Sequence, residues 1–97
     1  MNLSIADKLL LQQFFAGQPV KRAYLFGSYA RNEADSKSDI DILVELDFSK
    51  HIGLAFVQMQ LDLEELLNKK VDLVTTDGIS SHIARFIDTD KFLIYAK

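Results

Sequence analysis

Three short segments of the chain alternate apolar with polar side chains, and a chain with this pattern must build a β-sheet. The segments comprise residues 20–26, 39–46 and 71–76. Because successive side chains of a strand point to opposite faces of its sheet, each segment can bury one face and expose the other. Residues 91–96 predict a further short strand. The pattern therefore predicts one small sheet whose apolar face needs a cover of helices.

Residues 4–15 are predicted to form a helix that begins at a capping serine. Ser4 can accept a hydrogen bond from the first turn, and Asp7, three residues on, occupies the capping-box position. Gly17 and Pro19 end the segment, because neither residue continues a helix well. We expect its buried face to consist of the apolar residues that recur at helical spacing, Ala6, Leu9, Leu10 and Phe14.

Residues 51–70 are long enough for a helix of several turns and carry two apolar stripes. The first stripe consists of Ile52, Phe56, Met59, Leu63, Leu66 and Leu67. The second stripe, nearly opposite the first, consists of Leu54, Val57 and Leu61. Because one stripe suffices to pack on the sheet, the second needs another cover, which is either the N-terminal helix or a partner.

These segments together predict an α/β (α+β) protein with a small mixed sheet backed by helices. A short additional helix is expected over residues 80–87. The chain has 97 residues, of which 48% are hydrophobic and 26% charged. This size suits one core, because chains divide into separate cores only above about 250 residues. We therefore expect a single domain over residues 1–97.

Composition excludes several kinds of functional site. The chain has no cysteine, which rules out disulfides, thiolate zinc sites and cysteine nucleophiles. Its two histidines, His51 and His82, lie far apart in sequence, so a histidine-rich metal site is not expected. The net charge of −3 differs from the basic excess of most free-standing nucleic-acid-binding proteins. Carboxylates are therefore the groups most available for chemistry.

No segment predicts membrane insertion or secretion. The apolar runs are shorter than the roughly 18 residues needed to cross a bilayer. The N-terminal segment has an acid and a lysine where a signal peptide needs an unbroken apolar stretch. We therefore expect a cytoplasmic protein without membrane contact.

Two aspartates at the start of the second strand segment predict a metal site. Asp39 and Asp41 are two residues apart, so both carboxylates project from one face of the strand. Two anions so close repel each other unless a cation lies between them, and carboxylate oxygens suit Mg²⁺. Asp72 lies in the otherwise apolar third strand segment, so we expect it to be buried. It would join this face if the two strands are neighbours. There it could ligate the metal and accept a proton from an attacking hydroxyl.

A phosphate site is predicted at the end of the first strand segment, where Gly27 and Ser28 lie. Glycine lets the backbone approach a phosphate closely, and the serine hydroxyl can donate to it. Arg31 and Lys37 are the nearest cations that could neutralise phosphate oxygens. A phosphate site beside paired metal ligands is what two-metal phosphoryl or nucleotidyl transfer requires.

Each of these residues also has a simpler interpretation. The acids could face water, with Asp39 and Asp41 on a solvated strand face and Asp72 on an edge strand. Ser28 could merely close a tight turn, and the loop cations could serve only solubility. What favours chemistry is the combination of a Gly-Ser corner, a later Asp-x-Asp and a third acid on a following strand.

Three stretches of the chain together form a recognisable pattern. They read GSYAR at 27–31, SDIDILV at 38–44 and KVDLV at 70–74. This pattern resembles that of the minimal nucleotidyltransferases of the DNA polymerase beta superfamily. The resemblance implies the nucleotidyltransferase fold, two Mg²⁺ ions at Asp39, Asp41 and Asp72, and ATP held by its phosphates at Gly27 and Ser28 with help from the loop cations.

Small members of that family are commonly antitoxins paired with a helical HEPN-type toxin, and some transfer AMP from ATP to a tyrosine of that partner. The resemblance therefore implies a protein adenylyltransferase with such a toxin as partner. One departure is Asn32, where many relatives have glycine. Asparagine tolerates a left-handed backbone better than most other residues, so we expect the turn to survive.

Two other functions stay open at this point. The chain could be a binding module that neutralises its toxin by masking it, without catalysis. It could also be a nucleotidyltransferase that acts on a small molecule or on RNA. The absence of a segment for an acceptor-binding domain argues against the small molecule, and the acidic balance argues against RNA. Self-association is left open.

Overall fold

The structure, a computed structural model, describes residues 4–27, 39–47, 52–75 and 91–97. It contains, in chain order, α1 (Ile5–Ala16), β1 (Val20–Phe26), β2 (Ile40–Leu46), α2 (Ala55–Leu67), β3 (Val71–Thr75) and β4 (Phe92–Ala96). The strands lie in the order β3-β2-β1-β4. β1 is antiparallel to both β2 and β4, whereas β2 and β3 are parallel. The predicted mixed sheet and α+β fold are confirmed.

The strand bounds agree with the sequence prediction to within one residue, whereas the long helix is shorter than predicted. α2 begins at Ala55, after Gly53 with a φ of 47°, and ends before Asn68 with a φ of 52°. A left-handed residue directly after a helix stops it, so the predicted extension to residue 70 is wrong. The helix predicted over residues 80–87 lies outside the described residues.

α1 begins as predicted but buries a different face. The Ser4 hydroxyl accepts a hydrogen bond from the Asp7 amide at 3.0 Å and caps the helix. Leu11 and Phe15 are fully buried, whereas Leu9 is 53% exposed. The prediction of a buried face at Ala6, Leu9, Leu10 and Phe14 is therefore wrong in part; Phe14 alone of these packs against the core. Consecutive leucines and phenylalanines fit more than one helical face, so the pattern did not decide between them.

The core lies between the helices and one face of the sheet. Ile40, Ile42 and Val44 of β2 are fully buried, and β2 has a neighbouring strand on each side. α2 contributes Met59 and Leu63, while α1 packs on β4 and β1. The first predicted stripe of α2 therefore faces the core, apart from Leu66, which is 38% exposed.

The second apolar stripe of α2 remains exposed. Leu54, Val57 and Leu61, which we call the outer face of α2, are 83%, 57% and 55% exposed. α1 does not cover them, which removes one of the two covers predicted from the sequence. None of the described helices is long and apolar enough to cross a membrane.

Candidate active site

Gly27 lies directly against the carboxylate of Asp41. It follows β1 with a φ of 72°, in the left-handed region that favours glycine. In the antiparallel pairing of β1 with β2, its neighbour Phe26 is the register partner of Asp41. A Cβ atom added to Gly27 would lie 3.1 Å from Asp41 Cγ and closer still to Oδ2. Only glycine therefore fits this corner, while the role in phosphate binding predicted for Gly27 stays a prediction.

Asp41 and Asp72 are direct register partners in the parallel pair of β2 and β3. Their side chains therefore leave the same face of the sheet from adjacent strands. Asp39 precedes β2 by one residue, at the end of the sheet where Asp41 and Asp72 lie. The condition under which Asp72 joins this face, that the second and third strands are neighbours, is therefore met.

The three acids differ in exposure. Asp41 is half-buried, whereas Asp39 and Asp72 are exposed. The expectation that Asp72 would be buried within its apolar strand is wrong. β3 stands at one end of the described sheet, so its outward side chains reach solvent even though Val71 and Leu73 are buried.

Two hydrogen bonds fix the start of β3 next to the acids. The Ile40 amide, between Asp39 and Asp41 in sequence, donates to the Lys70 carbonyl oxygen at 2.9 Å. The Val71 amide donates to Glu64 Oε2 at 3.2 Å. Sequence reasoning gave Glu64 no role. The sequence gives little indication of a role for Glu64, because it is one of several acids near the end of a leucine-rich helix.

The donor set suits a hard divalent cation in chemistry and in backbone placement. Carboxylate oxygens are the ligands that Mg²⁺ prefers, and it commonly uses one or two carboxylates together with substrate phosphates. Within the described ranges, however, no group of three or more histidine, cysteine, aspartate or glutamate side chains is placed to hold one metal ion. The fit thus rests on donor type and strand register.

The remaining predicted residues lie outside the described part of the chain. These are Ser28, Arg31 and Lys37, together with Asn32. Their assignment to phosphate binding stays a prediction.

Comparison with known proteins decides the family. The nucleotidyltransferase domain family matches residues 8–95. The chain belongs to this family. The resemblance drawn from the sequence motifs is thereby confirmed, and the enzyme class is nucleotidyltransferase.

Relatives of this nucleotidyltransferase include archaeal proteins. A Methanocaldococcus jannaschii protein with the provisional name protein adenylyltransferase is 53% identical over 60 residues, which cover 62% of this chain and 63% of the relative. The protein adenylyltransferase MntA of Thermococcus cleftensis is 40% identical over 86 residues, which cover 89% of this chain and 83% of the relative. This nucleotidyltransferase therefore spans less than two thirds of the first relative and most of the second.

Solved structures share the fold. A structure described as a candidate minimal nucleotidyltransferase superimposes with a TM-score of 0.78 at 29% identity, covering 90% of this chain and 88% of that one. A chain in a toxin-antitoxin structure with AMP-PNP superimposes with a TM-score of 0.77 at 23% identity. The match covers 97% of this chain and 75% of that one. A third match is a chain in the complex of tri-AMPylated Shewanella oneidensis HEPN toxin with MNT antitoxin. Its TM-score is 0.72 at 21% identity, and the match covers 95% of this chain and 71% of that one. At such low identities, the two complexes show the fold alone.

Proposed function

We propose that this nucleotidyltransferase transfers AMP from ATP to a protein hydroxyl group, with a tyrosine of a HEPN-type toxin as the acceptor. The observation that carries the proposal is the register pairing of Asp41 with Asp72 beside the Gly27 corner. The name protein adenylyltransferase, carried by the Thermococcus cleftensis relative, supports the choice of a protein as acceptor. The chain would thereby act as the antitoxin of the pair.

In this proposal, Asp39, Asp41 and Asp72 would share two metal ions with the phosphates of ATP. Bound Mg²⁺, in two ions, would neutralise the phosphates and the leaving group. The acceptor oxygen attacks the α-phosphorus, and the bond from that phosphorus to the bridging oxygen breaks to release pyrophosphate. Asp72 takes the proton of the attacking hydroxyl. Its exposure to solvent is compatible with this role, because the hydroxyl of another protein must reach it.

The Gly27 corner would bind the β- and γ-phosphates. With no side chain, the Gly27 backbone lets a phosphate approach closely, and the Ser28 hydroxyl would donate to it. Arg31 and Lys37 would neutralise phosphate charge. Support for a nucleotide substrate also comes from the toxin-antitoxin neighbour that was solved with AMP-PNP. Since the reaction uses ATP, we assign it to the cytoplasm.

The outer face of α2 is the proposed docking surface for the toxin. It presents Leu54, Val57 and Leu61 to solvent on one side of a helix, and apolar side chains grouped on a protein surface are typical of interaction sites. An MNT antitoxin in complex with a HEPN toxin has the same fold as this chain. We therefore propose that a HEPN-type toxin covers this face.

Incubation with ATP, Mg²⁺ and the product of the adjacent gene, followed by intact-mass measurement, tests the proposal. The expected result is the gain of one or more adenylyl groups on the partner and none without Mg²⁺. A stoichiometric complex that forms equally well without ATP, with no mass gain, would favour masking and contradict enzymatic transfer. Transfer of an adenylyl group to RNA or to a small molecule would contradict the proposal that the acceptor is a protein.

A further inference from the structure

We propose that Glu64 is a positioning residue of the active site, acting through the start of β3 on Asp72. The inference deepens the proposed function, because it rests on Asp72 being a ligand there. It concerns a side chain on α2 that is not one of the proposed metal ligands Asp39, Asp41 and Asp72, which we call the acidic cluster. The contact that carries it is the hydrogen bond from the Val71 amide to Glu64 Oε2, 3.2 Å long.

The Val71 amide needs this acceptor because β2, its neighbour in the described part of the sheet, does not supply one. Ile40 is the register partner of Val71, and the Ile40 amide donates to the carbonyl of Lys70. In a parallel ladder, this arrangement leaves the Val71 amide on the side away from β2. β3 is the end strand of the described sheet, and Val71 is only 2% exposed. A buried amide without an acceptor costs about 1–3 kcal/mol, and the Glu64 carboxylate removes that cost.

The same ladder connects Val71 to the acids. In the parallel pattern, the amide of Asp72 faces the Ile40 carbonyl, and Ile40 lies between Asp39 and Asp41 in sequence. A displacement at Val71 therefore changes where Asp72 stands relative to Asp41. Glu64 lies in the last turn of α2, three residues before its end. Its bond ties the helix directly to the strand that carries Asp72, across a short connection.

A charged acceptor suits this purpose better than a neutral one. Hydrogen bonds to a carboxylate are roughly twice as strong as bonds between neutral groups. Groups bonded directly to metal ligands commonly determine metal affinity, and their loss lowers it by about 10–100-fold. Glu64 acts through the backbone of the residue before the proposed ligand, so we expect an effect at the lower end of that range. We therefore expect that loss of the acceptor oxygen at position 64 weakens metal binding at Asp39, Asp41 and Asp72 without removing any ligand.

The test uses the full chain and Mn²⁺ as a probe of the Mg²⁺ site, with binding measured by electron paramagnetic resonance. Glu64→Ala should raise the Kd for Mn²⁺ about tenfold and speed hydrogen exchange of the Val71 amide. Glu64→Gln keeps an acceptor oxygen and should rescue both readouts to within about twofold of the native chain. Glu64→Met keeps the side-chain length and should behave like Glu64→Ala, which covers the case that the alanine variant fails to fold. Glu65→Ala, at the exposed neighbouring position, is the matched control and should change neither readout.

Asp72→Asn separates this inference from the proposed function. Weaker Mn²⁺ binding in Asp72→Asn together with normal binding in Glu64→Ala and Glu64→Met would overturn the positioning role alone. Normal binding in all three variants would remove Asp72 from the proposed site, and the role of Glu64 with it. Unchanged exchange of Val71 in Glu64→Ala would overturn the inference at its first step.

Discussion

The carboxylate of Asp41 fills the space in which a side chain on Gly27 would begin. Asp41 lies in β2, and Gly27 directly follows β1, the antiparallel neighbour of β2, with a φ of 72°. Position 27 is therefore restricted twice, by backbone conformation and by contact with a proposed metal ligand. This arrangement connects the proposed phosphate corner to the proposed metal ligands in one local geometry.

Replacement of Gly27 by alanine should inactivate the enzyme more than it unfolds it. The new Cβ must displace the Asp41 carboxylate, and the positive φ adds strain, so we expect a loss of about 1–3 kcal/mol in the free energy of unfolding. AMP transfer should fall below detection. Denaturant unfolding and transfer assays measure the two effects. Gly17→Ala is the control, because its Cβ would have only the Phe14 carbonyl oxygen at 3.8 Å nearby; equal effects at both positions would contradict the argument.

Neutralising the aspartate pair should abolish catalysis and spare the fold. Asp39→Asn combined with Asp41→Asn removes two proposed metal ligands, so AMP transfer should drop by more than about 100-fold, beyond the loss typical of outer partners. Removal of two like charges offsets the loss of the interaction that Asp41 makes, so the free energy of unfolding should stay within about 1 kcal/mol of that of the native chain. Glu65→Gln, which neutralises an exposed acid outside the proposed site, is the matched control. Transfer retained by the double variant would end the proposal.

A charge on the outer face of α2 should weaken toxin binding without unfolding the chain. Leu61 is 55% exposed, so Leu61→Glu leaves the core intact, but it would bury a charge in the proposed interface. We expect a loss of about 2 kcal/mol in binding, or roughly 30-fold in Kd, by calorimetry with the partner. Leu9→Glu on α1, where Leu9 is 53% exposed, is the matched control. Equal binding by both variants would place the docking surface elsewhere.

The ion pair at the end of β2 should contribute to stability and not to catalysis. Lys97 Nζ lies 3.0 Å from Asp47 Oδ2, and the Asp47 side chain is only 8% exposed. Lys97→Met should lower the free energy of unfolding by about 1 kcal/mol with transfer unchanged. A drop in transfer per folded molecule would show that the pair acts on the site.

The exposed pair of Arg22 and Glu45 provides the comparison. Arg22 Nη1 lies 2.9 Å from Glu45 Oε2, with both side chains open to solvent, so Arg22→Met should cost less than Lys97→Met. The hydrogen bond and charge of Glu45 raise the pKa of Arg22 above its usual value. A raised pKa of a cation adds stability that is lost only as the pH rises through that value. The pair should therefore leave stability at neutral pH independent of pH.

Alternation of side chains predicted the strands well, because burial of one sheet face imposes a period of two wherever the strand lies. The face of α1 was harder. Its run of leucines and phenylalanines satisfies several helical faces, and the contact of Phe15 with Tyr95, whose ring centroids lie 6.1 Å apart, selects one of them. That choice depends on where β4 lies in the sheet, which α1 cannot encode alone.

The site was predictable in composition and less so in environment. The shared face of Asp39 and Asp41 followed from their spacing along a strand. The place of Asp72 on that face followed once the third strand lies beside the second. The exposure of Asp72 could not be predicted in this way, because it depends on which strand lies at the end of the sheet. The role proposed for Glu64 was equally hidden, since it arises only when the end of α2 meets the first amide of β3. Ser28, Arg31 and Lys37 stay predictions.

The parallel pairing of β2 with β3 has a consequence for biosynthesis. A parallel neighbour cannot be reached by a tight turn, so the chain must first complete α2 before Asp72 can arrive beside Asp41. On the ribosome, Gly27 and Asp41 are made well before Asp72. The newly made polypeptide therefore acquires its full set of acids only after α2 has been made and β3 has paired with β2.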